Sequence, residues 1–435
     1  MKYIENIIQG NQLRNVCEYK EDYIKFMLCG EDIDTGKPIN MPVGNELLSR
    51  HMMFLGGIGT GKSNAFNFVI NNIRASMDRD DVMIIFDTKG DYYEKFYRPG
   101  DIVISNDKRA TGKNSVDYWN LFKEVGIDDR LEENILEIAT TLFEEKIKSS
   151  SQPFFPNAAK DIFAALMMHI SRHANDEDHA NNKYLRTCFD TFKVSTMKQI
   201  LEMNTDLKSM RTYIEDEKSG QTLGVVSEMQ QLVREIFVGN FKQKGNLSIR
   251  EIVRNKGNQV VFVEYDLGIG QVLSPIYRII FDLAIKEALC RTSNEGNVYF
   301  LLDEFRLLPH LKHIDDGVNF GRSLGAKFIL GVQNIDQIYN AYGENAAKSI
   351  LSGFGTNISF RVQDANSREY IKNLYGKNIK LQTYMSKVSS RGICENTREG
   401  YVVEDVDITN LRLGEAIIGI MSYEPFKFKF KRFFK

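Results

Sequence analysis

The amino-acid sequence predicts an α/β protein with a mainly parallel sheet, into which a separate all-helical domain is inserted. Short, continuously apolar runs recur along the chain and alternate with helical patterns, as in parallel sheets that are covered on both faces. One such run ends in a glycine-rich loop that leads directly into a helix. In a long central stretch the strand-like runs vanish and helical periodicity takes over. These three observations favour a core that is discontinuous in sequence.

Strand-like runs fall on both sides of the central helical stretch. They occupy residues 52–55 and 82–86 before it, and 260–263, 298–302, 328–330, 358–360 and 416–418 after it. Within the stretch, one helical stripe is formed by Leu131, Ile135, Ile138 and Leu142. We therefore expect N-terminal strands and the first part of the core in residues 1–124, an inserted all-α domain in 125–237, and the second part of the core in 238–435.

Length and composition are those of a soluble protein with more than one domain. The chain has 435 residues, of which 43% are hydrophobic and 26% charged, and a net charge of -2. With so little net charge, any contact with nucleic acid has to come from local patches. The five cysteines lack the paired spacing of a zinc site or a disulfide framework, and no apolar run approaches the roughly 18–20 residues that cross a bilayer. We expect a cytoplasmic protein without a transmembrane segment.

The loop after the run at 52–55 matches the phosphate-loop pattern of nucleoside-triphosphatases. Its residues are Gly56, Gly57, Ile58, Gly59, Thr60, Gly61, Lys62 and Ser63. Glycines let successive backbone N–H groups curl round phosphates at a helix N-terminus. We expect Lys62 to reach the β- and γ-phosphates and Ser63 to ligate Mg²⁺, and we place Asn64 in the same nucleotide site. The alternative, an ordinary glycine-rich turn, is disfavoured by the strand before the loop and the helix after it.

A second half of the site is predicted where the run at 298–302 ends in Asp303 and Glu304. Ligands of open α/β sheets bind at the C-terminal ends of the strands. Asp303 is predicted to hold Mg²⁺ through water, and Glu304 to orient and deprotonate the attacking water. Acidic pairs after strands also occur as helix caps, but a phosphate loop in the same chain favours the catalytic role. The two halves together predict ATP hydrolysis on a RecA-like core.

Three further polar side chains are candidates for the site. Gln333 closes a strand-like run, so it is either placed to sense the γ-phosphate or the attacking water, or is an ordinary strand-end residue. Arg322 and Arg361 are candidates for an arginine finger, which stabilises transition-state charge from the adjacent subunit of a ring. The alternative for both is a solvated surface arginine.

The stretch at 426–431 alternates strictly between phenylalanine and lysine. This pattern predicts a half-buried edge strand whose outward lysines protect against edge pairing. An alternative is that the row of lysines contacts nucleic acid.

The order of these segments resembles the conjugative coupling ATPases of type IV secretion, the VirD4/TraD/TraG family, which is related to the HerA and FtsK translocases. The resemblance rests on blocks at 50–51 (RH), 86–91 (FDTKGD), 119–122 (WNLF), 302–305 (LDEF), 321–325 (GRSLG), 331–334 (GVQN), 342–343 (YG) and 357–361 (NISFR). It covers nearly the whole chain, from about residue 40 to the end. The phosphate loop alone is unspecific, whereas the ordered set of blocks is specific.

The resemblance implies roles for particular residues and partners. Arg322 becomes the expected finger, Gln333 the sensor and Arg50 a further residue at the nucleotide site, with ATP and Mg²⁺ as cofactors. The helical insertion corresponds to the family's all-α domain, which faces the relaxosome and the incoming DNA. Typical members begin with transmembrane helices that anchor them and build part of the hexamer, and this sequence has none. The expectation is a cytosolic ring that a separate membrane partner recruits.

The resemblance thus implies a hexameric, ATP-driven DNA pump that serves conjugative transfer together with a relaxase and secretion-channel proteins. Two alternatives stay open at this point. A HerA/FtsK-like cytosolic translocase in repair or phage defence would need no membrane. A nucleotide-dependent adaptor that recruits protein substrates to a secretion channel would have little contact with DNA, and its ATPase activity would not respond to DNA.

Overall fold

The computed structural model describes residues 3–106, 117–174, 176–291, 295–385 and 393–434. Fourteen strands lie in these ranges. They are β1 (Tyr3–Gln9), β2 (Ile24–Glu31), β3 (Pro38–Gly44), β4 (Met52–Leu55), β5 (Val82–Asp87), β6 (Ile102–Ile104), β7 (Gln259–Glu264), β8 (Val298–Leu302), β9 (Ala326–Val332), β10 (Thr356–Phe360), β11 (Lys377–Met385), β12 (Ile393–Tyr401), β13 (Glu415–Ile420) and β14 (Phe426–Phe430). Each strand-like run identified in the sequence lies within one of these strands.

The same ranges contain sixteen α-helices. They are α1 (Asn45–Ser49), α2 (Lys62–Ser76), α3 (Asp91–Phe96), α4 (Leu121–Val125), α5 (Leu131–Ser149), α6 (Phe154–His173), α7 (Asn182–Thr191), α8 (Val194–Met203), α9 (Gly220–Ile236), α10 (Ile249–Asn255), α11 (Gly270–Leu289), α12 (Ile314–Phe320), α13 (Asp336–Tyr342), α14 (Glu344–Ser352), α15 (Ala365–Tyr375) and α16 (Asp405–Thr409). In the described part of the chain, every helix is too short or too polar to cross a membrane.

The chain divides into two compact units. Unit 1 comprises Met1–Met83, Thr292–His310 and Ile314–Lys435, and unit 2 comprises Ile84–Arg291 and Leu311–His313. Both units are therefore discontinuous in sequence. The predicted all-α domain, residues 125–237, lies inside unit 2, and its bounds stay a prediction.

The main sheet of unit 1 combines a parallel and an antiparallel half. Its strand order is β3-β2-β14-β13-β10-β4-β9-β8. The strands β10, β4, β9 and β8 run parallel, with β4 between β10 and β9. β13, β14, β2 and β3 extend the sheet through antiparallel pairs. The parallel half confirms the predicted fold class. Every residue of β4, β8 and β10 is buried, as expected for strands that are covered on both faces.

A smaller antiparallel sheet of unit 1 has the order β1-β11-β12. Residue Asn6 pairs with Leu381, and Leu381 pairs in turn with Thr397.

The alternating stretch at 426–431 contains β14, but β14 is not an edge strand. It pairs with β13 on one side, where Phe428 faces Ala416, and with β2 on the other, where Phe430 faces Gly30. The three phenylalanines are buried, and Lys427 on the other face binds Asp34 at 3.0 Å. Alternation shows that one face of a strand is buried but carries no information about how many neighbours it has. The expectation of an edge strand was therefore wrong.

Unit 2 contains strands in the order β5-β7-β6 and a large helical part. In the described residues 121–174 and 176–255, the regular elements are helices and no strand occurs. Three of the four residues of the predicted stripe on α5 are buried, since Ile135, Ile138 and Leu142 are at most 2% exposed, whereas Leu131 at the start of the helix is half-buried. Helix α5 packs on α6, and α6 packs on α9. The helical periodicity in the sequence therefore reports a real helical core.

A buried polar cluster fastens the helical part of unit 2. Glu124 accepts hydrogen bonds from Trp119 Nε1 at 2.7 Å and from Ser248 Oγ at 2.9 Å. The buried guanidinium of Arg250 donates to Glu287 at 2.9 Å. Burial raises the pKa of the Glu124 carboxyl group, although these donors oppose the shift. Because a buried carboxylate without such donors would be strongly destabilising, this cluster fixes how α4 and α10 pack.

Candidate nucleotide-binding site

The phosphate loop lies in unit 1 between β4 and α2, as the sequence predicts. Strand β4 is fully buried, and its exit is fixed by the Gly56 N–H group, which donates to Val332 O of β9 at 3.1 Å. Gly59 and Gly61 have φ angles of 72° and 111°, in the left-handed region that favours glycine. The loop therefore turns tightly enough to direct backbone N–H groups towards the start of α2.

The side chain of Lys62 folds back into the phosphate loop and binds its backbone. Its side chain is 7% exposed, and its Nζ donates to the carbonyl oxygens of Gly56 and Gly57, the second at 3.2 Å. Thr60 Oγ1 donates to the same Gly57 oxygen at 2.8 Å. The ammonium group is thus held within the loop, where a bound phosphate can take over its hydrogen bonds.

Ser63 and Asp303 come together across the parallel sheet. Ser63 Oγ, in the first turn of α2, donates to Asp303 Oδ2 at the end of β8, at 3.0 Å. Asp303 is almost fully buried. A hydroxyl and a carboxylate at one point are oxygen ligands of the kind that Mg²⁺ prefers beside nucleotide phosphates. The two residues assigned to the metal therefore fit that ion.

Glu304 and Gln333 form the second pair at this edge of the sheet. Gln333 Nε2 donates to both carboxylate oxygens of Glu304, each at 2.9 Å. Arg306 lies 3.4 Å from the same carboxylate and is half exposed. The structure thus brings the two catalytic candidates together, with the carboxylate held in a defined orientation beside the Ser63–Asp303 pair.

Gly331 makes this arrangement possible, although sequence reasoning did not identify it. A Cβ atom at Gly331 would lie 2.3 Å from the carbonyl oxygen of Asp303. Any side chain there would push the end of β8 away from β9. The signal was available, because a glycine within a strand pattern marks a close approach of another backbone.

Arg361 lies beside the phosphate loop of its own chain. The Gly57 N–H group donates to Arg361 O at 3.0 Å, and the Arg361 side chain is exposed. Its neighbour Phe360 packs so close to the loop that a Cβ at Gly56 would lie 2.6 Å from it. The end of β10 therefore forms one flank of the loop.

Arg50 and Arg322 are placed at the opposite edge of the sheet. Arg50 precedes β4, and its guanidinium binds Met421 O at 3.2 Å and Glu46 at 2.5 Å. Arg322 is exposed in a short turn of residues Gly321–Leu324 that precedes β9. Because β4 and β9 run parallel, their starting ends lie away from the phosphate loop, roughly 13 Å from it for a strand of four residues. The structure does not bring either side chain to the nucleotide site of its own chain.

The side chain of Asn64 binds the segment after β14. Its Nδ2 donates to Lys431 O at 2.8 Å, and its Oδ1 accepts from the Phe433 N–H group at 2.8 Å. With both amide atoms engaged, the backbone N–H group is what Asn64 can offer to a phosphate. The side chain instead fastens the segment after β14 to the first turn of α2.

Gly414 is a second residue that sequence reasoning missed. Its N–H group donates to Thr60 O at 3.0 Å. A Cβ at Gly61 would lie 3.0 Å from Gly414 Cα, so the two backbones touch. No local pattern identifies this contact, because about 350 residues separate the two glycines.

His51 connects the start of β4 to the segment that leads to Arg322. The Phe328 N–H group of β9 donates to His51 Nδ1 at 3.1 Å, so Nε2 carries the proton and donates to Val318 O of α12 at 3.1 Å. Burial lowers the pKa of His51 to about 3, and the nearby Lys327 cation adds to the shift. His51 is therefore a neutral, positioning side chain.

The fold and this site define the class, a P-loop nucleotide-binding protein. A parallel sheet presents a phosphate loop, a serine–aspartate pair and a glutamate–glutamine pair at one edge. A family model described as the type IV secretion-system coupling protein DNA-binding domain matches residues 38–425. The chain belongs to this family.

Curated relatives carry the names that this family implies. Coupling protein TraD of Escherichia coli K12 is 22% identical over 331 residues, which are 74% of this chain and 43% of TraD. The coupling protein VirD4 of Bartonella henselae is 25% identical over 230 residues, 51% of this chain and 36% of VirD4. The chain thus spans less than half the length of these relatives.

Solved structures of the conjugative coupling protein TrwB have the same fold. The unbound form has a TM-score of 0.74 at 17% identity and covers 100% of this chain and 95% of that chain. TrwB in complex with ADP and Mg²⁺ has a TM-score of 0.73 at 16% identity, covering 100% and 96%. VirB4 of Thermoanaerobacter pseudethanolicus is more distant, with a TM-score of 0.58 at 13% identity, covering 95% and 98%.

Proposed function

We propose that this chain is an ATP-hydrolysing motor that moves DNA, or a nucleoprotein substrate, towards a type IV secretion channel during conjugative transfer. The observation that carries the proposal is the convergence of four side chains beside the phosphate loop. Ser63 meets Asp303 at 3.0 Å, and Gln333 holds Glu304 at 2.9 Å. Membership of the coupling-protein family supports DNA as the substrate and a type IV secretion channel as its destination.

The chain's own residues suit hydrolysis of a γ-phosphate. Lys62 would exchange the loop carbonyls for phosphate oxygens. Ser63 and Asp303 would hold Mg²⁺, which would supply positive charge to the phosphates. Glu304 orients the attacking water and takes its proton. The bond from Gln333 keeps the carboxylate in the geometry for that transfer. TrwB has been solved in complex with ADPNP, with GDPNP, and with ADP and Mg²⁺, which supports this choice of cofactors.

The placement of Arg322 supports assembly into a ring. Its side chain is exposed at the edge of the sheet opposite the phosphate loop. A finger located there cannot serve its own nucleotide and instead projects from the surface of one subunit towards the site of the next. Arg50 lies at the same edge of the sheet, and we propose that it too acts at the nucleotide site of the next subunit. A hexamer, a relaxase with its relaxosome, secretion-channel proteins and a separate membrane anchor complete the proposed set of partners.

The test of this proposal measures ATP turnover with and without single-stranded and double-stranded DNA, together with the mass of the assembly. We expect ATP hydrolysis that DNA stimulates, and a larger assembly when ATP and DNA are both present. Lys62→Ala is the control, since it removes the phosphate-binding ammonium group. DNA-independent turnover would favour the adaptor that recruits protein substrates. DNA would stimulate the ATPase activity of a repair or phage-defence translocase in the same way. Co-purification with a nuclease rather than a relaxase would identify that function.

A further inference from the structure

The catalytic pairs define the direction in which a nucleotide lies across the phosphate loop. β4, which leads into the loop, has β9 on one side and β10 on the other. The Ser63–Asp303 and Glu304–Gln333 pairs lie on the β9 and β8 side, so the γ-phosphate belongs there. A nucleoside triphosphate is an extended molecule. Its α-phosphate, ribose and base therefore extend to the other side, over the carboxyl ends of β10 and β14 and the start of β13.

That other side is enclosed by the turn before β13. Gly414 touches the loop through its bond to Thr60 O at 3.0 Å. Next to it, Leu413 is 72% exposed, so its apolar side chain is accessible to a ligand. Gly414 O in turn accepts from the Phe430 N–H group at 2.9 Å, which connects the turn to the end of β14.

The segment after β14 continues this wall round the first turn of α2. Asn64 fastens it through its bonds to Lys431 O and to the Phe433 N–H group. Phe433 packs edge-on against Phe68 of α2, with ring centroids 5.2 Å apart. The segment is therefore anchored on its inner side by a hydrogen-bonded amide and by a contact between two half-buried rings.

The outer side of the same segment presents an aromatic ring and a guanidinium group, which suit a flat ligand. Phe434 is 78% exposed, and the Arg432 guanidinium lies over its ring at 5.4 Å from the centroid. Nucleobases stack on aromatic faces and on guanidinium planes. The exposed leucine of the turn before β13 and the exposed phenylalanine–arginine pair after β14 are suitable surfaces for contact with a base.

We propose that Leu413, Arg432 and Phe434 form the base subsite of the nucleotide site, with Asn64 as the residue that positions the segment. This proposal rests on the proposed function, because it requires a nucleotide in the phosphate loop. The base is then bound by residues other than those of the phosphate loop, which bind the phosphates. Since stacking accepts any planar base, the subsite binds purine nucleotides without a strong choice between adenine and guanine.

The test compares two ligands that share their phosphates, Mg-ATP and Mg-tripolyphosphate. Tripolyphosphate lacks the ribose and the base, so contacts with the base cannot affect its binding. We expect Phe434→Ala and Leu413→Ser each to weaken Mg-ATP binding about tenfold, and to leave Mg-tripolyphosphate binding unchanged. Asn64→Ala should weaken Mg-ATP in the same selective way. The matched control is Tyr23→Ala, which removes an 87% exposed ring elsewhere in unit 1.

The outcomes separate this proposal from the proposed function. Equal weakening of both ligands would mean that the segment only supports the loop, and unchanged Mg-ATP binding in the variants would place the base elsewhere. Either result overturns the subsite while nucleotide binding stands. If the unaltered protein binds neither ligand, the proposed function fails first and the subsite fails with it. Thermal unfolding of each variant verifies folding, and Phe434→Leu, which keeps an apolar wall without the ring, is expected to retain part of the affinity.

Discussion

The side-chain amide of Gln333 donates to both carboxylate oxygens of Glu304, each at 2.9 Å. The two residues end neighbouring parallel strands, β9 and β8. Gln333 therefore cannot turn towards a γ-phosphate without loosening its hold on Glu304. In the proposed mechanism this bond couples detection of the phosphate to the orientation of the residue that activates water.

Glu304→Gln is expected to bind ATP normally and to hydrolyse it about 10²–10⁴-fold more slowly, which is the usual contribution of a positioned general base. The amide keeps the size of the side chain but cannot accept the proton of water. Turnover and nucleotide affinity are measured separately. Arg306→Ala is the control, because Arg306 also approaches Glu304 but is half exposed. Near-normal turnover by Glu304→Gln would remove Glu304 from the catalytic role.

Gln333→Ala is expected to lower turnover with little change in ATP affinity, because the carboxylate of Glu304 loses its donor. If Gln333 acts mainly through Glu304, the double variant with Glu304→Gln should be no slower than Glu304→Gln alone. A double-mutant cycle of turnover rates measures this. Additive losses would show that Gln333 acts on the phosphate independently of Glu304.

Arg322→Ala should bind ATP and hydrolyse it poorly, since a finger supplied by a neighbour typically contributes on the order of 10³–10⁵ in rate. Mixing it with Lys62→Ala protein should restore part of the activity. In mixed rings, one interface pairs an intact phosphate loop with an intact arginine. Arg322 lies at the edge of the sheet away from its own loop, so the rescue has to occur between subunits.

A complete lack of rescue, with mixed assemblies shown by mass, would contradict this role of Arg322. Arg361→Ala would then be the next variant to test, because Arg361 lies beside the phosphate loop of its own chain.

His51 predicts a dependence of stability on pH. Its pKa in the folded protein is about 3, below its ordinary value of 6.5, because burial and the nearby cations Lys327 and Arg322 disfavour the protonated ring. The unfolded chain therefore binds a proton that the folded chain excludes, and stability contributed by neutral His51 is lost as the pH falls from about 6.5 towards 3. His51→Gln, which does not titrate there, should lose less stability over this window. Urea unfolding at several pH values measures it, and identical pH profiles would refute it.

Local patterns in the sequence were sufficient for the phosphate loop and for Asp303. Glycine spacing, a preceding apolar strand and a following helix are short-range features, and they predicted a loop between β4 and α2, with Lys62 and Ser63 in the first turn of the helix. The parallel half of the sheet was predicted from short apolar runs, of which β4 and β8 are continuously apolar. Family membership confirms the resemblance on which the functional expectation depended.

Long-range contacts could not be predicted in the same way. The bonds of Asn64 to Lys431 and Phe433 join residues nearly 370 positions apart, and nothing near Asn64 in the sequence signals them. The interior position of β14 was missed for the same reason, since pairing with β2 depends on a strand about 400 residues earlier. Periodicity describes which face is buried, whereas neighbours are selected by the whole fold.

Strand β4 also determines when the protein can first bind a nucleotide during its own synthesis. Within the described ranges, β4 pairs with β9 and β10, whose residues follow it by about 270 or more positions. At ~5–20 residues per second, the ribosome needs on the order of 15–55 s to make that stretch. Until then, four consecutive apolar residues and the loop behind them have no partner strands. The emerging chain must therefore be protected from aggregation at β4 until β9 and β10 have been synthesised.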